Sequence, residues 1–175
     1  ITAVFNPDGH NRRVNTVEMF GSDTAVTDPA HAQHNWSSTR TNHYWFDLNR
    51  QWLLQTQPES RAWLTQWHRW KPQVSADFHE MGTDATFYFH PGEPRRLNPL
   101  IPARARELTR NIAQHHIGFL DQEARLYTTE EGFDNFYVGK GSTYPQVNGS
   151  LGILFEIGSA RGGLIESSHG LVSHG

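Results

Sequence analysis

At 175 residues the chain can bury one hydrophobic core, and 36% hydrophobic against 19% charged residues exclude disorder by composition. The net charge of −3 offers no basic surface for nucleic acid or anionic lipid, and no apolar run approaches the roughly 20 residues that span a bilayer. There is no cysteine, so a transition metal would have to be held by carboxylates and by some of the 11 histidines.

Ile1-Thr2-Ala3-Val4-Phe5 reads as a buried strand with no initiator methionine or signal peptide before it. The chain is therefore expected to be cut from something longer, lacking its N-terminal part and open to further residues at its C-terminus. Asn6-Pro7-Asp8-Gly9 follows as a turn signal. From Arg12 to about Asn42 the sequence is polar and irregular and contains His31 and His34. It reads as a long surface excursion, and excursions of this length tend to be functional. Residues 59–70 read as a helix with Trp63, Trp67 and Trp70 on one packing face.

Val74 to His79 predicts a strand ending in a polar pair, and residues 82–99 a Gly/Pro-rich loop. Residues 101–119 give the clearest helical pattern, with Leu108, Ile112 and Phe119 on one stripe. A second irregular stretch runs from Glu130 to Val147. Leu151 to Ile157 is an almost wholly apolar strand carrying one carboxylate. Short continuous apolar strands alternating with helices predict a single α/β domain over residues 1–175, its sheet covered on both faces.

Three places carry chemistry. Glu156 is a lone carboxylate at the end of an apolar strand, costly to bury unless it has a partner or a task. It is either a strand-end side chain reaching solvent or a general base. In Asp77-Phe78-His79-Glu80, alternation puts Asp77 and His79 on one face, where the carboxylate can orient an imidazole and the imidazole can bind metal. In Asp47-Leu48-Asn49-Arg50, an adjacent amide and guanidinium suit either a bidentate grip on a carboxylate or a structural ion pair.

In order, Asn6-Pro7-Asp8-Gly9, Arg40-x-Asn42, Asp47-Leu48-Asn49-Arg50, Asp77-x-His79 and Phe155-Glu156 resemble the motifs of the zinc metallocarboxypeptidases typified by pancreatic carboxypeptidase A. The resemblance runs from residue 6 to about residue 160. It implies a mixed, mostly parallel sheet sandwiched between helices and a zinc-dependent exopeptidase acting on peptides with a free C-terminal carboxylate. It implies His79 as the third zinc ligand and Glu156 as the base and then acid on the catalytic water. Arg40 would stabilise the oxyanion, with Arg12 and Arg13 as rivals. Asn49 and Arg50 would grip the terminal carboxylate. Tyr137 would be the tyrosine that closes over the substrate, with Tyr144 as the lesser candidate. The specificity position would fall near residues 142–144, with Lys140 close by.

One departure stands out. The family's first two ligands come from a His-x-x-Glu motif ahead of the Asn-Pro-Asp-Gly turn, and only five residues precede that turn here. The other two ligands are therefore expected upstream of Ile1. His90-Pro91-Gly92-Glu93 has the spacing but follows His79, and it reads as coincidence. Two alternatives remain open: a metal-free homologue that only binds carboxylates or peptides, and a zinc amide deacylase of the same superfamily. The resemblance favours a secreted or periplasmic location.

Overall fold

A computed structural model describes residues 4–20, 39–81, 85–158, 164–167 and 170–173. Its centre is a four-stranded mixed sheet of β1 (Val74–Met81), β2 (Phe87–Phe89), β3 (Tyr127–Thr128) and β4 (Leu151–Gly158), in the order β1-β4-β2-β3. β1 and β4 are parallel from Val74↔Leu151 to Met81↔Gly158. β2 lies antiparallel on the other side of β4 and parallel to β3. The parallel pairing explains the unbroken apolar run in β4, where Ile153 and Leu154 are both buried and point to opposite faces. β5 (Leu164–Ser167) and β6 (Gly170–Ser173) form a separate antiparallel pair.

Helices cover both faces of the sheet. On the face carrying Ser75, Asp77, His79 and Glu156, α2 (Pro58–Trp70) bonds to β1 through the Trp67 indole N–H, 2.9 Å from Ser75 Oγ. Trp52, Leu64, Trp67 and Tyr144 pack there as the core, with Phe5 stacked on Trp52 at 6.1 Å. On the other face α3 (Ala103–Gln122) sets His116 5.3 Å from both Phe89 and Phe155. The architecture is thus α/β with a mixed sheet and helices, as the alternation predicted. Among the described residues no helix is long and apolar enough to cross a membrane.

Several local expectations are corrected. Asn6-Pro7-Asp8-Gly9 opens a helix, α1 (Pro7–Phe20), which takes up the first part of the stretch expected to be irregular. Asn6 Oδ1 accepts the Gly9 N–H at 2.9 Å, and Pro7 occupies the first position, where its missing N–H costs nothing. Val4 is exposed and forms no strand, while Ile1 to Ala3 and His31 and His34 lie outside the described residues. The tryptophan face of α2 ends early, because Trp70 is 81% exposed in the last turn. In α3 the buried stripe is Ala105, Thr109 and Ala113, four apart, and Phe119 faces outward. Small residues let the helix lie close. The Glu130–Val147 stretch also contains a short buried helix, α4 (Thr143–Val147).

Candidate functional site

The parallel register sets His79 directly beside Glu156, on one face, at the C-terminal ends of β1 and β4. Strand ends suit reactive groups, because the scaffold is rigid while loops can close over them. Glu156 is only 8% exposed, and its Oε2 is buried without a hydrogen-bond partner among the described residues. Burial pushes its carboxyl up to about 7; His79 and Arg40 oppose that shift and Asp77 adds to it. A carboxyl poised there can exchange a proton near neutral pH.

His79 is held by its neighbours. Its Nε2 lies 2.8 Å from both Asp77 Oδ1, which can accept an Nε2–H, and Asn49 Nδ2, which only donates. In the tautomer that donates Nε2–H to Asp77, Nδ1 presents its lone pair, with Arg40 Nη1 3.4 Å away. Of the two imidazole nitrogens, Nδ1 is the one that could bind a metal ion, after Arg40 swings aside.

The second wall is the turn Leu48–Arg50. Asp47 caps it, with Oδ1 accepting the Asn49 N–H at 2.9 Å and Oδ2 pairing with Arg40 Nε at 3.1 Å. Asn42, fully buried, pins the preceding loop: its Oδ1 accepts the Tyr44 and Phe46 N–H groups and its Nδ2 donates to Gln57. Arg12 donates to the carbonyls of Thr41 and Asn42 and sits 5.3 Å over the Trp45 ring. It braces the segment that carries Arg40, which suits Arg12 poorly to the oxyanion role. Arg40 alone of these two reaches the Glu156 field.

The third wall is the segment 137–141. It is bonded to the turn by Tyr137 Oη on Arg50 O (3.1 Å), Trp52 N on Gly139 O (3.1 Å) and Gly141 N on Asn49 Oδ1 (2.7 Å). A Cβ on Gly139 would stand 2.2 Å from the Tyr137 ring, so glycine is required for the ring to lie over it. Tyr144 is buried in the core with its hydroxyl 2.8 Å from His68 Nε2, which removes it as a closing tyrosine. Ser142 and Thr143 are buried too. Lys140 is paired with Asp134 at 2.5 Å.

Arg40, His79, Glu156 and Tyr88 line a cavity of about 760 Å³, together with rings such as Phe78 and Phe155. The structure thus brings Arg40, Asn49, His79 and Glu156 into one neighbourhood and sets Arg50 and Tyr137 against each other beside it. Among the described residues no three His, Asp or Glu side chains group to hold a metal ion. His90 is buried with Nε2 unpartnered, while Glu93 sits 3.8 Å from Arg96, so their spacing in sequence builds no shared site. Sequence reasoning missed Gly141, whose role depends on a contact 92 positions away. In comparisons with protein-family models, curated proteins and solved structures the chain has no match.

Proposed function

We propose that the protein is a zinc-dependent exopeptidase of carboxypeptidase-like fold that releases the C-terminal residue of peptides. The observation that carries this reading is a buried Glu156 carboxyl, poised near neutrality with Oε2 unpartnered among the described residues, register-matched with a histidine that Asp77 can orient through Nε2. The donor chemistry at His79 fits one zinc ligand, and two further ligands have to come from outside the described residues. A zinc ion so held would supply the Lewis acidity that polarises a scissile carbonyl and makes water a nucleophile near neutral pH.

This chain's residues supply the rest. Glu156 accepts the proton of the attacking water and delivers it to the departing amine. Arg40, moving off His79, places a guanidinium where negative charge develops on the carbonyl oxygen, a donor worth about 3–4 kcal/mol. Arg50, with its guanidinium about half exposed beside the site, binds the substrate's terminal carboxylate. Tyr137 covers that contact from the 137–141 segment.

The test is kcat/KM for matched free-acid and C-terminally amidated peptides on the zinc-loaded enzyme. The free acid should be cut at least about thirtyfold faster, since amidation leaves Arg50 facing a neutral group at a cost of roughly 2–5 kcal/mol. Arg50→Ala should erase most of that preference without changing zinc content. Equal rates on the two substrates would overturn the exopeptidase reading in favour of an endopeptidase or a deacylase.

A further inference from the structure

Asn148-Gly149 is the chain's one Asn-Gly pair, and it lies in the turn between α4 and β4 with both residues exposed. The N–H groups on either side of the Gly149 nitrogen are used: those of Asn148 and Ser150 bond to Pro145 O, at 3.0 and 2.9 Å. Among the described residues the Gly149 N–H makes no bond. Gly149 sits at φ +85° with nothing within 4 Å of the place a Cβ would occupy, so its backbone is uncrowded. The Asn148 side chain is held by one bond among the described residues, from Nδ2 to Tyr144 O at 2.8 Å. An exposed turn opens locally far more readily than the core, and rotation of the freed side chain brings its Cγ to the Gly149 nitrogen.

Asp8-Gly9, the chain's one Asp-Gly pair, shows the opposite arrangement. Cyclisation there would need the same two groups, but the Gly9 N–H donates to Asn6 Oδ1 at 2.9 Å and Asp8 Oδ2 accepts the His43 N–H at 2.7 Å. Both residues also lie in the first turn of α1. The fold occupies the nitrogen and the carboxylate of that pair and leaves Asn148-Gly149 open.

We propose that Asn148 is a site of spontaneous modification, deamidating through a cyclic imide formed with Gly149. The Gly149 nitrogen bonds to Asn148 Cγ and gives up its proton. The Cγ–Nδ2 bond breaks, and Nδ2 takes up a proton and leaves as ammonia. Water then opens the ring. Opening at Cγ gives aspartate, and opening at the main-chain carbonyl gives isoaspartate, whose backbone runs through the side chain. One water is consumed, one ammonia is released, and nothing is oxidised or reduced. Either product loses the donor to Tyr144 O, one of the last carbonyls of α4. Aspartate sets a group that only accepts beside that carbonyl. Isoaspartate also lengthens the backbone just before β4 begins at Leu151. Since Tyr144 packs in the core and Gln146 Nε2 bonds to Gly152 O at 2.6 Å, the change should loosen the joint between α4 and β4.

The test is peptide mapping of the folded protein held at pH 8, beside the free peptide Gln-Val-Asn-Gly-Ser-Leu. The fragment containing Asn148 should gain the mass of an acid and test positive for isoaspartate, while the fragment containing Asp8 stays free of it. Conversion should be slower at pH 6, since the attacking nitrogen has to give up its proton. Gly149→Ala should slow it severalfold, because a Cβ hinders the attack. Asn148→Gln, which would need a larger ring, should stay unconverted and serves if Gly149→Ala fails to fold at its positive φ. Aged wild type should unfold at lower urea than fresh protein, Asn148→Asp should show a shift in the same direction, and aged Asn148→Gln should show none. An unconverted Asn148 in the folded protein, once the free peptide has fully converted, would overturn the proposal. Equal conversion at residue 148 in wild type and Asn148→Gln would do the same, and an unshifted urea midpoint in converted protein would remove the loosening of α4.

Discussion

His79 and Glu156 stand side by side at the ends of two parallel strands, each presenting its side chain to the face that α2 covers. Parallel register is what makes neighbours of two residues 77 positions apart. Glu156 is buried there with its Oε2 unpartnered among the described residues, and burial is what moves its proton into the neutral range.

A second buried group titrates in the opposite sense. Burial pushes His90 down from 6.5 to about 4, so the unfolded chain binds its proton across a window in which the native protein does not. Its contribution is fully present above 6.5 and is lost as pH falls towards 4. Glu156, raised from 4.5 to about 7, binds its proton more readily in the native protein; its contribution is present below 4.5 and is lost as pH rises towards 7. Between 4.5 and 6.5 the two slopes cancel, and the unfolding free energy of the metal-free protein should be nearly flat. His90→Phe removes one side. Its stability should then fall by on the order of 1.4 kcal/mol per pH unit through the middle of the window, measured by urea titration at several pH values. A flat profile in that variant would show that Glu156 does not titrate as described, and a slope already present in the wild type would show the same of His90.

The cap of α1 is open to a simpler measurement. Asn6→Ala removes both the acceptor for the Gly9 N–H and the donor to Thr39 O, so it should cost about 1 kcal/mol or somewhat more. Gly9→Ala should cost more, since its Cβ would meet Thr39 O at 2.0 Å and the backbone must give way. Urea midpoints for the two variants should fall in that order. A neutral Gly9→Ala would mean that α1 does not pack against residue 39.

These same residues show where sequence reasoning stops. Apolar runs made β1, β4, α2 and α3 legible, because burial on one or both faces is written into composition and period. Asn6-Pro7-Asp8-Gly9 was not legible: the residue types that make turns also make helix N-termini, and the decision lies in the bond from Gly9 N–H to Asn6, reinforced by Thr39. Glu156, His79 and Arg40 could be singled out from chemistry and order along the chain. The bonds from Asn49 to Gly141 and Asp77 could not, because they join three segments that only the fold brings together. The burial of Tyr144 beside Trp52 and Trp67 is of the same kind.

Lys140 and Asp134 make a further test of the 134–142 segment. Both are largely buried, 17% and 21% exposed, and joined at 2.5 Å. Burial would raise the Asp134 carboxyl, but the Lys140 bond and charge, with the Phe136 N–H and Arg96, hold it below its ordinary value. Its stabilisation is therefore present above the ordinary carboxylate range and is lost as pH falls through the lowered value. Asp134→Asn leaves the ammonium with a weaker partner and should cost about 1–3 kcal/mol at pH 7. The double variant with Lys140→Met should recover part of that loss, since no buried charge then lacks its counterion. Additive losses would mean the two side chains are not coupled.

Glu156→Gln separates a catalytic carboxylate from a structural one. If Glu156 were retained for stability, its replacement should weaken the fold. The structure predicts the reverse for the metal-free protein at pH 8, where the carboxylate is charged, 8% exposed and without a hydrogen bond to Oε2. An uncharged amide of the same shape removes the cost of holding that charge out of water, so the variant should be the more stable of the two at pH 8. The advantage should shrink as pH falls through 7 and vanish near 4.5, where Glu156 is protonated both folded and unfolded. In the zinc-loaded enzyme the same change should leave metal content and peptide binding near wild type while removing more than nine-tenths of kcat, because an amide cannot accept the water's proton. Thermal unfolding at pH 5 and pH 8, set beside kcat on one peptide, measures both. A variant that is destabilised at pH 8, or that keeps more than about a tenth of its turnover, a barrier change under roughly 1.4 kcal/mol, would take the role of base away from Glu156.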